Sequence, residues 1–183
     1  MKRFIKWLLV VLVVLAAAVA GFLGYMGMLT PLAVSESKMG PYLFVYEDHT
    51  GPYMGTGKVF DKVYEAVKAD GVDTTRGLGI YFDNPSEVPS DKLRSQCGLV
   101  VEEKDYQKFS AVGKKYKSKV LNSSDSVVVE FPIRNSLSYA FGPMKAYPAL
   151  DKYAREKGYK ISEPYELYDM PAGKIYFVAP IAK

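Results

Sequence analysis

Cysteine and histidine are nearly missing from this chain: each occurs once in 183 residues, as Cys97 and His49. A lone cysteine excludes an intrachain disulfide and a cysteine metal cluster, and Cys97, set in an apolar strand pattern, reads as a small buried hydrophobe. No Ser-His-Asp set, phosphate loop or metal-ligand spacing occurs, so neither a metal nor a cofactor is expected. Tryptophan is equally scarce, with one residue against 15 Tyr and 9 Phe. Tyrosine offers apolar area with a polar tip, which suits a lined cleft as well as a core or a sheet face. The net charge is only +4, and Lys2, Arg3 and Lys6 supply three of the positive charges from the N-terminus. Nucleic acid is therefore not an expected partner.

What the chain has in excess is an apolar start. Trp7 to Met28 carries no charge, and about 22 residues at about 1.5 Å each cross a hydrocarbon core of about 30 Å. We read residues 1–30 as a transmembrane anchor with the lipid bilayer as its partner. Lys2, Arg3 and Lys6 precede it and the next basic residue is Lys38, so the positive-inside bias puts the N-terminus in the cytoplasm and the body on the far side. The competing reading is a cleaved secretory signal, since Ala18-Val19-Ala20 offers small residues after an apolar core. Phe22, Leu23, Tyr25, Met26 and Met28 continue the apolar run beyond that point, which favours a retained anchor. Residues 31–40, with Pro31 and small polar side chains, read as a linker, and residues 41–183 as one folded domain of ordinary size.

Within the domain the sequence echoes itself. Leu43 to Pro52 (LFVYEDHTGP) leads into a helical stretch and a tyrosine strand ending Tyr81-Phe82-Asp83. Leu137 to Pro143 (LSYAFGP) leads into a second helical stretch and a strand ending Leu167-Tyr168-Asp169. The first unit reads as strand Tyr42 to Glu47, a turn at His49 to Pro52, a helix carrying Val59, Val63 and Val67 and closed by Asp70-Gly71, then strands Leu78 to Asp83 and Gly98 to Glu102. Lys104 to Asp125 reads as a linking region with a helix over Tyr106 to Val112, and Val127 to Phe131 as a strand. Its six lysines (Lys104, Lys108, Lys114, Lys115, Lys117, Lys119) read as a solvated face more readily than as a membrane contact. The second unit reads as strand Leu137 to Phe141, turn Gly142-Pro143, a helix from about Tyr147 with Pro148 in its first turn and a stop at Gly158, then strands Pro164 to Tyr168 and Lys174 to Val178. The expected fold class is α+β: a pseudo-symmetric duplication of a β-α-β-β module with helices on antiparallel sheet, preceded by one transmembrane helix.

Gly77 to Val100 (GLGIYFDNPSEVPSDKLRSQCGLV) resembles the signature of GyrI-like, or bacterial effector-binding, domains, with a tyrosine strand, an Asp-x-Pro turn, a Val-Pro step and a Leu-Arg pair. His49 to Tyr53 and Tyr165 to Tyr168 match the same pattern. The anchor together with Tyr106-Gln107-Lys108-Phe109, Phe131-Pro132, Leu137-Ser138, Tyr147 to Asp151 and Ala179 to Ala182 is similar to a membrane-anchored branch known from animals. In that branch an autophagy-receptor activity resides in a long tail beyond the domain; this sequence stops at Lys183, so that activity is not expected here. The resemblance implies two β-α-β-β modules around a cleft for amphipathic or cationic aromatic molecules. An anchor stands where regulators carry a DNA-binding unit, so direct gene regulation is not expected.

Strand alternation puts Glu166 and Tyr168 on one face and Tyr165 and Leu167 on the other. The resemblance points Glu166 into the cleft, where a carboxylate among tyrosines favours a cation that pairs with it. If Asp83 echoes Asp169, the matching position in the first unit is Ile80, giving one acidic and one apolar wall. Tyr81, Tyr168 and Tyr147 are the candidate wall residues, and an ordinary core or surface place is the alternative for each. His49 reads as a turn residue rather than a haem ligand, although a haem-binding family shares the module. Asp83 and Asp169 read as turn caps. Three functions compete: a membrane-tethered binding module without chemistry, a hydrolase of electrophilic small molecules with Glu166 as acid or base, and an interaction scaffold whose protein partner the sequence does not name.

Overall fold

A computed structural model describes residues 2–182. Helix α1 (Lys2–Tyr25) is followed by strands β1 (Val34–Met39) and β2 (Tyr42–Thr50), helix α2 (Gly57–Ala69), strands β3 (Arg76–Tyr81) and β4 (Arg94–Val101), and helix α3 (Tyr106–Val112). Strands β5 (Lys117–Leu121) and β6 (Ser124–Pro132), helix α4 (Ser138–Lys157), and strands β7 (Lys160–Ile161), β8 (Tyr165–Asp169) and β9 (Lys174–Ala182) complete the order. Helix α1 is long and apolar enough to cross a membrane, and none of its apolar stretch is buried against the body.

Eight strands form one antiparallel sheet in the order β1-β6-β9-β8-β3-β4-β2-β5, with β7 paired to β9 at the side. The order reads alike from either end. Units β2-α2-β3-β4 and β6-α4-β8-β9 have the same connectivity and meet where β3 pairs with β8, Leu78 opposite Leu167. The expected α+β class with helices on antiparallel sheet is what the chain adopts.

The second unit is not built as the echo implied. Leu137 to Phe141 is not a strand; α4 begins at Ser138 and the strand of that unit is β6. Local hydrogen bonds explain the early start: Ser138 Oγ accepts the Arg134 N–H at 2.9 Å and Asn135 Oδ1 accepts the Leu137 N–H at 2.9 Å. The two glycines in the matched Gly-Pro pairs also do different work. Gly51 sits at φ 138° and turns the chain. Gly142 lies inside α4, where an added Cβ would stand 2.8 Å from the Phe177 ring, so it permits close helix-on-sheet packing instead. Both Pro143 and Pro148 are within the helix.

The interval read as a linker contains β1, and the Lys104 to Asp125 interval contains α3 and β5. These edge strands are exchanged. β1 precedes β2 in the chain yet pairs with β6 of the other half, while β5 precedes β6 yet pairs with β2. The linking lysines are mostly engaged on this frame: Lys108 with Asp105, Lys115 with Asp70 and Lys117 with Asp48. The exchange carries a consequence for truncation. A fragment starting at Met39 lacks five of the six pairs of the β1–β6 ladder, Val34↔Val129 to Lys38↔Asp125, and bares the edge of β6. It is expected to melt at least about 10 °C below a fragment starting at Leu29, by circular dichroism; equal melting temperatures would show that β1 is dispensable.

The core has three parts. α2 packs Val63 and Val67 on Val45, Leu99 and Val101, and α4 packs Ala146 and Leu150 on Val127, Val129, Phe131, Ile175 and Phe177. On the other face Phe44, Leu78, Ile80, Val100, Val128, Tyr165, Leu167 and Val178 are buried without a helix, because the sheet curls over them.

Candidate functional site

Where the halves join, the helix-bearing face carries a carboxylate. In the β3–β8 ladder Glu166 lies directly opposite Gly79 and Tyr168 opposite Gly77, whereas Ile80 lies opposite Tyr165 on the other face. Directly paired residues share a face. The expectation that Ile80 forms the wall facing Glu166 is thus corrected: Asp83 and Asp169 do not occupy matching places, and Ile80 belongs to the core under the curl.

The glycines make room for phenols. A Cβ at Gly79 would stand 2.9 Å from the Tyr81 ring, and one at Gly77 would stand 3.3 Å from Tyr168 and 3.4 Å from Phe60. Side-chain-free positions on β3 therefore let two rings lie over the strand next to the acid. Glu166 Oε2 accepts the Tyr168 hydroxyl at 2.6 Å and Oε1 accepts the Tyr147 hydroxyl, from α4, at 3.0 Å. The Tyr168 and Tyr81 hydroxyls are 2.9 Å apart. Because Tyr168 spends its proton on Glu166, Tyr81 donates to Tyr168, and the bonds run in one direction from Tyr81 through Tyr168 to the carboxylate. The structure thus brings all four sequence-predicted side chains, Glu166, Tyr168, Tyr81 and Tyr147, into one network.

Aromatic packing fixes the phenols. Phe60 of α2 meets Tyr168 edge-on at 5.4 Å, Tyr139 of α4 meets it at 5.7 Å, and Tyr53 meets Tyr81 at 4.9 Å. These three neighbours escaped the sequence reading. The Gly77-x-Gly79 pair inside a strand was the available signal, since glycine there marks a close approach.

Glu166 is 3% exposed. Burial pushes its carboxyl up to about 7, although the Tyr168 and Tyr147 hydroxyls pull it back down. The Tyr81, Tyr147 and Tyr168 hydroxyls are driven well above the ordinary phenol value, first by burial and then by the carboxylate, so they stay protonated donors. Among the described residues no cation pairs with Glu166; its partners are two phenols. Tyr168→Phe removes the shorter bond, so the Glu166 titration is expected to move upward from about 7; a carbon-13 carboxyl titration that stays in place would contradict this.

The Tyr147 and Tyr168 phenols, with Phe60 packed on the latter, close the site around the acid. A cavity of about 310 Å³ lies elsewhere, beside α2, where Tyr46, Asp48, Val63, Tyr116 and Lys117 are among its walls. His49 is not a turn residue: it lies within β2 opposite Ser95, its Nε2 buried and without a hydrogen-bond partner among the described residues. Asp169 caps its turn by accepting the Ala172 N–H at 2.9 Å. Asp83 does otherwise and clamps Arg94 at 2.8 and 3.0 Å. Among the described residues no group of three or more His, Cys, Asp or Glu is placed to hold a metal.

No protein-family model matches the chain. Over 144 residues it is 28% identical to testis-expressed protein 264 homolog of Mus musculus and 29% identical to testis-expressed protein 264 of Homo sapiens, covering 75% of this chain and 44% of each of those proteins. The chain therefore spans less than half the length of these curated relatives. Among solved structures, the EcmrR C-terminal domain superposes with a TM-score of 0.60 at 14% identity, covering 83% of this chain and 98% of that one. SAV2435 bound to tetraphenylphosphonium superposes with a TM-score of 0.53 at 13% identity, covering 82% and 94%. At such identities the likeness is one of fold alone.

Proposed function

We propose that this chain is a membrane-tethered binding module for amphipathic or cationic aromatic molecules, with Glu166 as the counter-ion. The single observation that carries the reading is a carboxylate 3% exposed whose only hydrogen-bond partners among the described residues are phenols. A buried charge without a countercharge is costly, and an incoming cation removes that cost while the ring faces add cation-π attraction of about 0.5 to 2 kcal/mol. The fold neighbour solved with tetraphenylphosphonium supports the ligand class. Tyr168, Tyr81 and Tyr147 are read as the walls that part to admit the ligand. Helix α1 is read as a retained anchor, with Lys2 and Arg3 on the cytoplasmic side and the domain beyond the membrane. The two halves are read as copies of one module.

The test is titration of the full chain in detergent with tetraphenylphosphonium, read as a thermal shift at pH 8 and pH 5. Binding at pH 8 that fades at pH 5 supports the reading; no shift at either pH overturns it. A second reading is favoured by the burial of Glu166 between two phenols, which raises its carboxyl to about 7 and suits it to take and return protons. In that reading Glu166 guides water onto an electrophilic ligand, and product formation lost in Glu166→Gln separates it from simple binding.

A further inference from the structure

Helix α1 does not hang from the domain by a loose tether. It ends in a Schellman motif, with the Met28 N–H on the Leu23 carbonyl at 2.9 Å, the Gly27 N–H on the Gly24 carbonyl at 3.0 Å, and Gly27 at φ 77°. The next residues are packed on the second half of the domain. Met26 is wholly buried, its sulfur accepting the Asn135 side chain, and Met28 and Leu32 join the core beneath α4. Lys145 of α4 donates to the Gly27 carbonyl at 2.6 Å and to the Thr30 carbonyl. Arg134 lies 5.6 Å from the Tyr25 ring at the last turn of α1. The start of α4 is thus fixed beside the end of the apolar helix.

That start is apolar on its outer side. Leu137, the helical-conformation cap residue of α4, and Met144, seven residues on and so nearly superposed on a helix, are 44% and 69% exposed, and Leu29 of the packed segment is exposed as well. From Phe131 to Leu150 there is no acidic residue, while Arg134 and Lys145 are basic, and no acid precedes Glu36. An apolar ridge flanked by basic side chains, held at the foot of a membrane span, has the chemistry of an interfacial helix.

We propose that the Leu137–Met144 ridge of α4 seats in the headgroup layer of the bilayer that α1 crosses. Tyr139 and Tyr147 project from the same helix toward Tyr168 and Glu166, so the seat puts one wall of the acid site against lipid. Apolar cations concentrated in the membrane then reach Glu166 without crossing bulk water. The inference rests on the reading of α1 as a span.

The full chain is reconstituted into phosphatidylcholine and phosphatidylserine vesicles with an environment-sensitive fluorophore on one introduced thiol at a time: Met144→Cys, Leu137→Cys, Lys152→Cys or Val13→Cys. Cys97 is buried, and the unsubstituted chain is the labelling blank. Spin-labelled lipids, with the nitroxide near the headgroup or deep in the acyl region, are the quenchers. The ridge labels at 144 and 137 are expected to show at least about twofold stronger shallow quenching than the label at 152, and the label at 13 strong deep quenching. Quenching at 144 and 137 no greater than at 152, with 13 deeply quenched, overturns the ridge while leaving the span intact. An unquenched label at 13 overturns both.

Discussion

Glu166→Gln is expected to weaken tetraphenylphosphonium binding roughly 30- to 1000-fold, the equivalent of about 2 to 4 kcal/mol for removing one partner of a buried charge pair. The substitution keeps shape and burial. Gln accepts one phenol as before and donates to the other, since a hydroxyl serves either way, so the change reads charge rather than packing. The pH dependence has a definite sign. The folded carboxyl titrates near 7 against an ordinary 4.5, so between these values the folded chain holds a proton that the unfolded chain has lost. Unfolding free energy therefore falls as pH rises from about 4.5 to about 7 and is level above, a loss of about 3 kcal/mol in all. Binding of a permanent cation runs the other way, weakening about tenfold for each unit below 7 as the carboxyl takes up its proton. Glu166→Gln removes both slopes: without ligand it matches the parent near pH 4.5 and exceeds its stability at pH 8. A variant that binds as well as the parent, or keeps the parent's pH slope in urea titrations, excludes Glu166 as the counter-ion.

Some parts of this molecule were legible from spacing and others were not, for physical reasons. Alternation in Tyr165 to Tyr168 placed Glu166 and Tyr168 on one face because a strand's period of 2 leaves no other choice. The α2 helix was equally plain, since Val63 and Val67 recur on one stripe and Gly71, at φ 81°, stops it. Both signals are local. The α4 start was misread because Gly142-Pro143 has the composition of Gly51-Pro52, and only the Phe177 ring, 35 residues away in the chain, shows why glycine is needed there. The exchanged strands were invisible for a related reason: Val34–Met39 is polar and mostly exposed, as an edge strand is, and nothing local says that its partner is β6. The register of β3 on β8 decides which residue faces Glu166, and that register depends on the whole sheet.

Gly98→Ala is expected to destabilise the fold by more than about 4 kcal/mol, enough to prevent the domain from accumulating in folded form. Gly98 pairs with Tyr46 of β2 on one side and Leu78 of β3 on the other. An added Cβ would stand 1.9 Å from the Val45 carbonyl oxygen and 2.7 Å from the Tyr46 Cα. These are backbone atoms of a paired strand, so no side-chain rotation relieves the clash and β2 must part from β4. Gly98 lies opposite Leu78 of the core on the helix-free face, and glycine there permits the close approach of β2. The effect reaches the site, because β4 also holds β3, whose Gly77 and Gly79 seat the phenols around Glu166. Gly57→Ala is the matched control: it lies in α2 with nothing within 4 Å of the added carbon and is expected to stabilise by up to about 1 kcal/mol through helix propensity. Yield of folded protein and urea midpoints read both variants. A Gly98→Ala chain with the parent's midpoint would mean that the strands separate at that point without cost, and that this close approach does not set the position of the acid.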